Sequence, residues 1–207
     1  MLMIDEGYIK FNPHWVKSPS FSYDGLTALM EARQKLYRKN LIGAYPSGIG
    51  FGNISVRNPL AVHSNAFFIS GSATGHIPQL TKAHFSLVTK VDIEQNILYC
   101  EGPVIASSES MSHAVIYREC PEVQAVVHVH HLEMWRQLLH KVPTTDAAAT
   151  YGTPEMAWSI VDLLKKTDLR DTKLFVMQGH EEGVFAFGNS LEEAVEVILS
   201  ALENGVG

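Results

Sequence analysis

The chain has 207 residues and a net charge of −6; 46% of its residues are hydrophobic and 18% charged, with ten histidines and only two cysteines. Such a length buries roughly 70% of the surface that the unfolded chain exposes, and the composition is that of a folded protein rather than a disordered one. Cys100 and Cys120 cannot build a disulfide framework or a four-cysteine zinc cage, and the acidic balance argues against general nucleic-acid binding.

Neither a repeat nor a linker-like run divides the sequence, so a single domain over residues 1–207 is expected. The opening MLMIDEGYIKFNPHW carries early charges and lacks a signal-peptide core, and no window approaches eighteen apolar residues. A cytoplasmic protein without membrane association is the corresponding expectation.

In chain order, residues 24–40 read as a helix, with Leu26, Leu29, Met30, Ala32, Leu36 and Tyr37 at helical spacing, Asp24 as N-cap and Gly43 beyond the end. The glycine-rich PSGIGFGNISVRN then feeds a strand with Ile54 and Val56 on one face. AFFIS (66–70) is a short apolar run ending in a second small-residue loop, SGSATGH. Residues 85–91 and 97–100 flank IEQN as a hairpin. ASSESMSHAVIYRE (106–119) is helical, capped by Ser107 or Ser108, and VQAVVHV (123–129) is a buried strand. Helical pattern returns at 132–140, and again from Thr153-Pro154-Glu155 to about Lys166. Residues 173–177 and 183–187 read as strands. The last helix has Ser190 and Glu193 as a capping box, an apolar stripe from Leu191 to Leu202, and Gly205 past its end. Strands and helices mix without strict alternation, which predicts an α/β fold whose central, mainly antiparallel sheet is flanked by helices.

The richest chemistry lies in Val127-His128-Val129-His130-His131, downstream of Ser108-Glu109-Ser110. Residues two apart in a strand project to one face about 7 Å apart, so His128 and His130 can grip one cation through nitrogens at roughly 2.0–2.1 Å. A lone H-x-H is equally at home on a half-exposed strand face. A third ligand is needed; His180 lies just past a predicted strand, although alone it reads as a turn histidine. Glu109 opens a helix, where an acid also simply complements the helix dipole.

SSE, a strand ending in H-x-H about twenty residues later, and then Q-x-H-x-x-G before a terminal helix together resemble the class II aldolase/adducin family. That family includes fuculose-phosphate and rhamnulose-phosphate aldolases, pentulose-phosphate 4-epimerases and a methylthioribulose-phosphate dehydratase. The resemblance runs in order from Gly52-Asn53 to the last helix. It implies His128, His130 and His180 as ligands of Zn2+ or another divalent transition metal. It further implies Glu109 as the acid/base that can also ligate the metal, and a homotetramer with sites at its interfaces. The implied substrate is a phosphorylated sugar held by small-residue loops. The matching pieces place Asn53, Ser72, Thr74, Gly75, Ser107 and Ser108 at the phosphate, where glycine lets N–H groups approach an anion and hydroxyls add donors. Ser72 reads equally as ordinary turn chemistry, and the SGSATGH loop is one residue longer than the aldolase pattern.

The sequence departs from that pattern elsewhere. The tyrosine that family aldolases recruit from the next subunit has no match in KVPTTDAAATYGTPEM; Tyr151 is the nearest phenol, and either takes that role or faces the core. Glu181 and Glu182 replace a compact H-G spacing and read either as an extra acid/base group or as a solvated turn. His113, four residues after Glu109, reads as a neighbour or indirect support of the site, and His76 lies within the anion loop. His14, His63, His84, His131 and His140 read as surface, turn or capping residues. The expected activity is zinc-dependent aldol cleavage of a ketose 1-phosphate to dihydroxyacetone phosphate and an aldehyde. Alternatives are a 4-epimerase or dehydratase using the same metal site, and a non-catalytic adducin-like scaffold.

Overall fold

The structure is a computed structural model that describes residues 8–61 and 65–205; His63 therefore lies outside the described residues. Its strands are β1 (Asn12–Lys17), β2 (Gly43–Ala44), β3 (Gly50–Phe51), β4 (Asn53–Arg57), β5 (Phe67–Ser70), β6 (Phe85–Asp92), β7 (Ile97–Gly102), β8 (Ala125–His130), β9 (Leu174–Val176) and β10 (Gly183–Gly188). Its helices are α1 (Gly25–Arg38), α2 (Ser110–Glu119), α3 (Leu132–Leu138), α4 (Pro154–Lys166), α5 (Leu169–Thr172) and α6 (Leu191–Gly205). Eight strands form one sheet in the order β1-β7-β6-β5-β4-β8-β10-β9, while β2 and β3 make a separate small hairpin. Every pairing in the large sheet is antiparallel except β1 with β7.

Alternation along the strands divides the core in two. Ile54, Phe68, Val127, Val129, Val184 and Ala186 pack with the apolar stripes of α1 and α6. Phe67, Ile69, Val126, Phe185 and Phe187 point the other way, against α2 and α4. Ile54 and Val56 thus share a face as their spacing predicts, and Asn53 and Ser55 look across to α2.

The edge strand β1 has no counterpart in the sequence reading. All six of its residues are exposed and it contains Pro13, so neither alternation nor burial announces it; proline is tolerated on an edge. The caps differ in detail from expectation. Asp24 precedes α1 without a side-chain cap bond. Helix α2 begins after Glu109 rather than after Ser107 or Ser108, because Ala106 is still bridged to Gly71. Thr153 caps α4 with proline in its first turn, as predicted. At α6, Ser190 Oγ accepts from Glu193 N at 3.1 Å, while the Glu193 carboxylate reaches Asn189 N instead of closing the box on Ser190. Gly205 is the last residue of that helix rather than its stop. No helix among the described residues is long and apolar enough to cross a membrane.

Candidate active site

Strand β8 lies between β4 and β10, with His128 opposite Asn53 on one side and Phe185 on the other, and with His130 opposite Gly183. The His128 ring stacks on Phe185 at a centroid distance of 4.4 Å, which fixes its plane. His180 arrives from the β9–β10 connection, a tight turn in which Gly183 N donates to His180 O at 3.0 Å. A Cβ on Gly183 would lie 2.8 Å from the His180 ring, so only glycine permits that close return.

The three histidines converge as their spacing suggests. One nitrogen from each of His128, His130 and His180 lies within 4.8 Å of the others, and all three residues are buried. His180 Nε2 and His130 Nε2 are 3.1 Å apart, close to the roughly 3.3 Å edge that a tetrahedral site with 2.0–2.1 Å metal–nitrogen bonds requires. His128 Nε2 is buried and has no hydrogen-bond partner among the described residues. A buried polar atom without a partner is costly, and a shared cation would satisfy it. Burial, reinforced by the neighbouring histidines, holds the His128 pKa well below its ordinary value, leaving the neutral imidazole that ligation needs. The donor set therefore fits a divalent transition metal.

Glu109 stands beside this cluster, with Oε1 3.9 Å from His180 Nε2 and Oε2 accepting from Ser112 Oγ at 2.9 Å. All the predicted site residues line one cleft: Asn53, Ser72, Thr74, Gly75, Ser107, Ser108, Glu109, His128, His130, Tyr151 and His180. Tyr151 faces the core and also reaches the cleft wall. It is buried within the core cluster, yet its ring packs 4.7 Å from that of His180 at the cleft wall. Its hydroxyl accepts from Tyr8 N at 3.4 Å, and Lys10 Nζ sits 3.9 Å over the ring.

The loops already engage several of their own polar groups. Ser72 N donates to Ile105 O, so the side chain is what Ser72 offers to a ligand. Thr74 Oγ1 donates to Gly71 O at 2.8 Å. Ser107 Oγ accepts from Glu109 N at 3.4 Å, which leaves the hydroxyl proton for another acceptor. Ala73 adopts a left-handed φ of 58°, an uncommon state for a non-glycine residue and an ingredient of the turns that gather N–H groups around an anion.

Asn53 has a second set of partners. Its Oδ1 accepts from His113 Nε2 at 2.6 Å, and its Nδ2 faces His128 Nδ1 at 3.3 Å. Turning the carboxamide over exchanges donor and acceptor, so the same contacts suit either tautomer of His128. His113 continues inward to Ser55 Oγ at 2.7 Å, and Ser55 to Tyr117 at 2.8 Å. Complete burial lowers the His113 pKa to about 3 and raises that of Tyr117, so both stay neutral. His113 thus lies behind the site, supporting it through Asn53. His76 lies in the anion loop but is exposed and does not line the cleft. His131 caps α3 by accepting from Met134 N, and His84 accepts from Thr81 N in a small capping box, both as local structure.

Neither Glu181 nor Glu182 lines the cleft. Glu182 sits on the outer side of His130, where Tyr45 Oη donates to Glu182 Oε2 at 2.6 Å and lies 3.0 Å from His130 Nδ1. The His130 edge, 3.7 Å away, and then the Tyr45 hydroxyl hold the Glu182 carboxyl below its usual pKa against partial burial.

Arg33 is a residue that the sequence reading passed over. Although 1% exposed, it donates to the carbonyls of Thr74, Gly75, Ile77 and Pro78 at 2.6–3.2 Å. Carbonyl and N–H of a trans peptide point oppositely. Anchoring the Thr74 and Gly75 carbonyls therefore turns the N–H groups of Gly75 and His76 away from Arg33, which stands outside the cleft. The available signal was a cation set within the apolar stripe Leu26, Leu29 and Leu36.

With this geometry in place, comparison with known proteins is decisive for ancestry. A family profile described as the class II aldolase and adducin N-terminal domain matches residues 27–136. The chain belongs to this family. An L-fuculose 1-phosphate aldolase structure superposes with a TM-score of 0.63 at 19% identity, covering 89% of this chain and 86% of that one. The L-fuculose-1-phosphate aldolase of Thermus thermophilus gives 0.54 at 22% identity, over 87% of this chain and 96% of the other. These likenesses show the shared fold. In sequence, 80 residues are 30% identical to a protein of Mycoplasma pneumoniae named "Probable L-ribulose-5-phosphate 4-epimerase". That match takes in 39% of this chain and 30% of the relative's length.

Proposed function

We propose that the protein is a zinc-dependent lyase that reversibly cleaves a ketose 1-phosphate into dihydroxyacetone phosphate and an aldehyde. The observation that carries this reading is the convergence of three buried imidazoles, Glu109 and Tyr151 on one cleft whose remaining wall is made of small-residue loops. His128, His130 and His180 would hold the metal. When bound, it supplies Lewis acidity at the oxygens that gather negative charge as the carbon–carbon bond breaks. Glu109, beside the histidines, returns a proton to the carbon left beside the carbonyl, or removes one in the condensation direction. Tyr151, packed on His180, handles the hydroxyl proton of the departing aldehyde. The phosphate would rest among Ser72, Thr74, Gly75, Ser107 and Ser108, with Asn53, held between His113 and His128, offering its second amide N–H to the same loops. The homotetramer implied by the family resemblance, and the cytoplasmic location expected from the sequence, accompany this reading.

A second reading, a pentulose-phosphate 4-epimerase, is favoured by the local match to the Mycoplasma protein. The exclusion of Glu181 and Glu182 from the cleft weighs against the proton-shuffling carboxylate expected for it. The test is a panel of sugar phosphates, followed for dihydroxyacetone phosphate, epimers and dehydrated products, with zinc content measured in parallel. Expected is dihydroxyacetone phosphate from one ketose 1-phosphate, lost in Glu109→Gln although that variant folds and keeps its metal. Epimer without cleavage would select the second reading. A protein with neither metal nor turnover would be a scaffold.

A further inference from the structure

Two segments meet on the outer edge of His130, away from the nitrogen that faces His180. Tyr45 comes from the β2–β3 hairpin, and Glu182 from the turn between β9 and β10. The hairpin holds Tyr45 by a bond from Tyr45 N to Ile49 O at 2.9 Å and by packing of its ring on Phe51 at 4.7 Å. Glu182 has a left-handed φ of 72°, a conformation costly for a residue with a side chain. His131 N holds it there by donating to Glu182 O at 3.0 Å, tying the turn to the end of β8.

Proton counting gives this contact a direction. Glu182 as a carboxylate only accepts, and Tyr45 has one hydroxyl proton, which goes to Glu182 Oε2 at 2.6 Å. The Tyr45 oxygen then offers lone pairs to His130 Nδ1 at 3.0 Å, so that nitrogen carries the proton. The neutral ring is left with its Nε2 lone pair aimed at the cluster, 3.1 Å from His180 Nε2. We propose that Tyr45 and Glu182 are positioning residues, a directed hydrogen-bond chain that sets the tautomer and plane of His130 for metal binding. Groups behind a ligand histidine typically alter metal affinity by about 10–100-fold. The metal-affinity consequence rests on the reading of His130 as a ligand; the tautomer assignment stands without it.

The experiment measures two things in the parent, Tyr45→Phe, Glu182→Gln and the double variant. The first is zinc affinity by competition with a chromophoric chelator. The second is the His130 tautomer in metal-free protein, by 15N NMR of labelled histidine. Expected are an Nδ1-protonated His130 in the parent, a mixed tautomer in Glu182→Gln, and zinc affinity lower by about 10–100-fold in each single variant. Because Glu182 acts largely through Tyr45, Glu182→Gln should cost less affinity in the Tyr45→Phe background than in the parent. Metal-free thermal midpoints should move little. An Nε2-protonated His130 in the parent would overturn the proposal. So would unchanged zinc affinity, fully multiplicative effects, or loss of metal-free stability without loss of affinity. A parent with the expected tautomer but no zinc binding would instead remove the metal site itself.

Discussion

Strand β8 presents two faces that are equally buried and physically unlike. Ala125, Val127 and Val129 face α1 and α6, while Val126, His128 and His130 face α2 and the cleft, and none of the six exceeds 3% exposure. On the valine face, stability comes from area removed from water and from filled volume, and no atom requires a particular partner. On the histidine face, each ring nitrogen must be accounted for. Asn53 meets His128 Nδ1, Tyr45 meets His130 Nδ1, and His128 Nε2 has no hydrogen-bond partner among the described residues. Burial alone therefore does not mark the functional face. The mark is a polar face on which a buried ring nitrogen, His128 Nε2, finds no hydrogen-bond partner among the described residues.

The two faces should fail in opposite ways. His128→Ala removes one of three imidazoles, and zinc affinity should fall by more than about 100-fold, beyond the effect of losing a supporting residue. Metal-free stability should change less, because the deleted ring takes an unsatisfied nitrogen with it. Val127→Ala should show the reverse: a loss of about 2 kcal/mol from two missing methyl groups and the resulting void, with zinc affinity intact. Urea unfolding of metal-free protein and chelator competition decide both. If His128→Ala unfolds more easily than Val127→Ala, the histidine face is acting as packing and the contrast collapses.

Much of this was visible in the sequence, for reasons that separate local from long-range information. H-x-H on a strand, capping residues and apolar stripes depend on spacing along one element, and they located His128, His130 and helix α4. His180 and Glu109 came from motif order rather than geometry, and the fold brought both to the same cleft. The contacts that complete the site join residues far apart in the chain. Arg33 lies 41 residues from Thr74, and Tyr45 lies 137 from Glu182. Neither pair has a periodic signature. His76 shows the complementary limit: it lies in the anion loop yet is exposed, because membership of a loop does not set the direction of a side chain. Strand β1 escaped because its residues are exposed on both faces, leaving no alternation to read.

The inner support of the histidine face has a cost that pH can expose. His113 is fully buried between Asn53 and Ser55, and burial lowers its pKa from the ordinary 6.5 to about 3. Above about pH 6.5 it is neutral in both folded and unfolded chains and contributes no pH dependence. Below that, the unfolded chain binds a proton that the folded one refuses, so stability falls as pH drops from about 6.5 toward about 3. Buried His128 adds the same sign in metal-free protein. His113→Gln keeps a polar side chain at this position but cannot titrate. Between pH 7.5 and 5.5 the metal-free parent should therefore lose about 1 kcal/mol more stability than the variant. Urea midpoints of both proteins at the two pH values test this. Equal losses would mean that His113 takes up its proton while folded, and the closed hydrogen-bonded face would then be open to solvent at its deepest point.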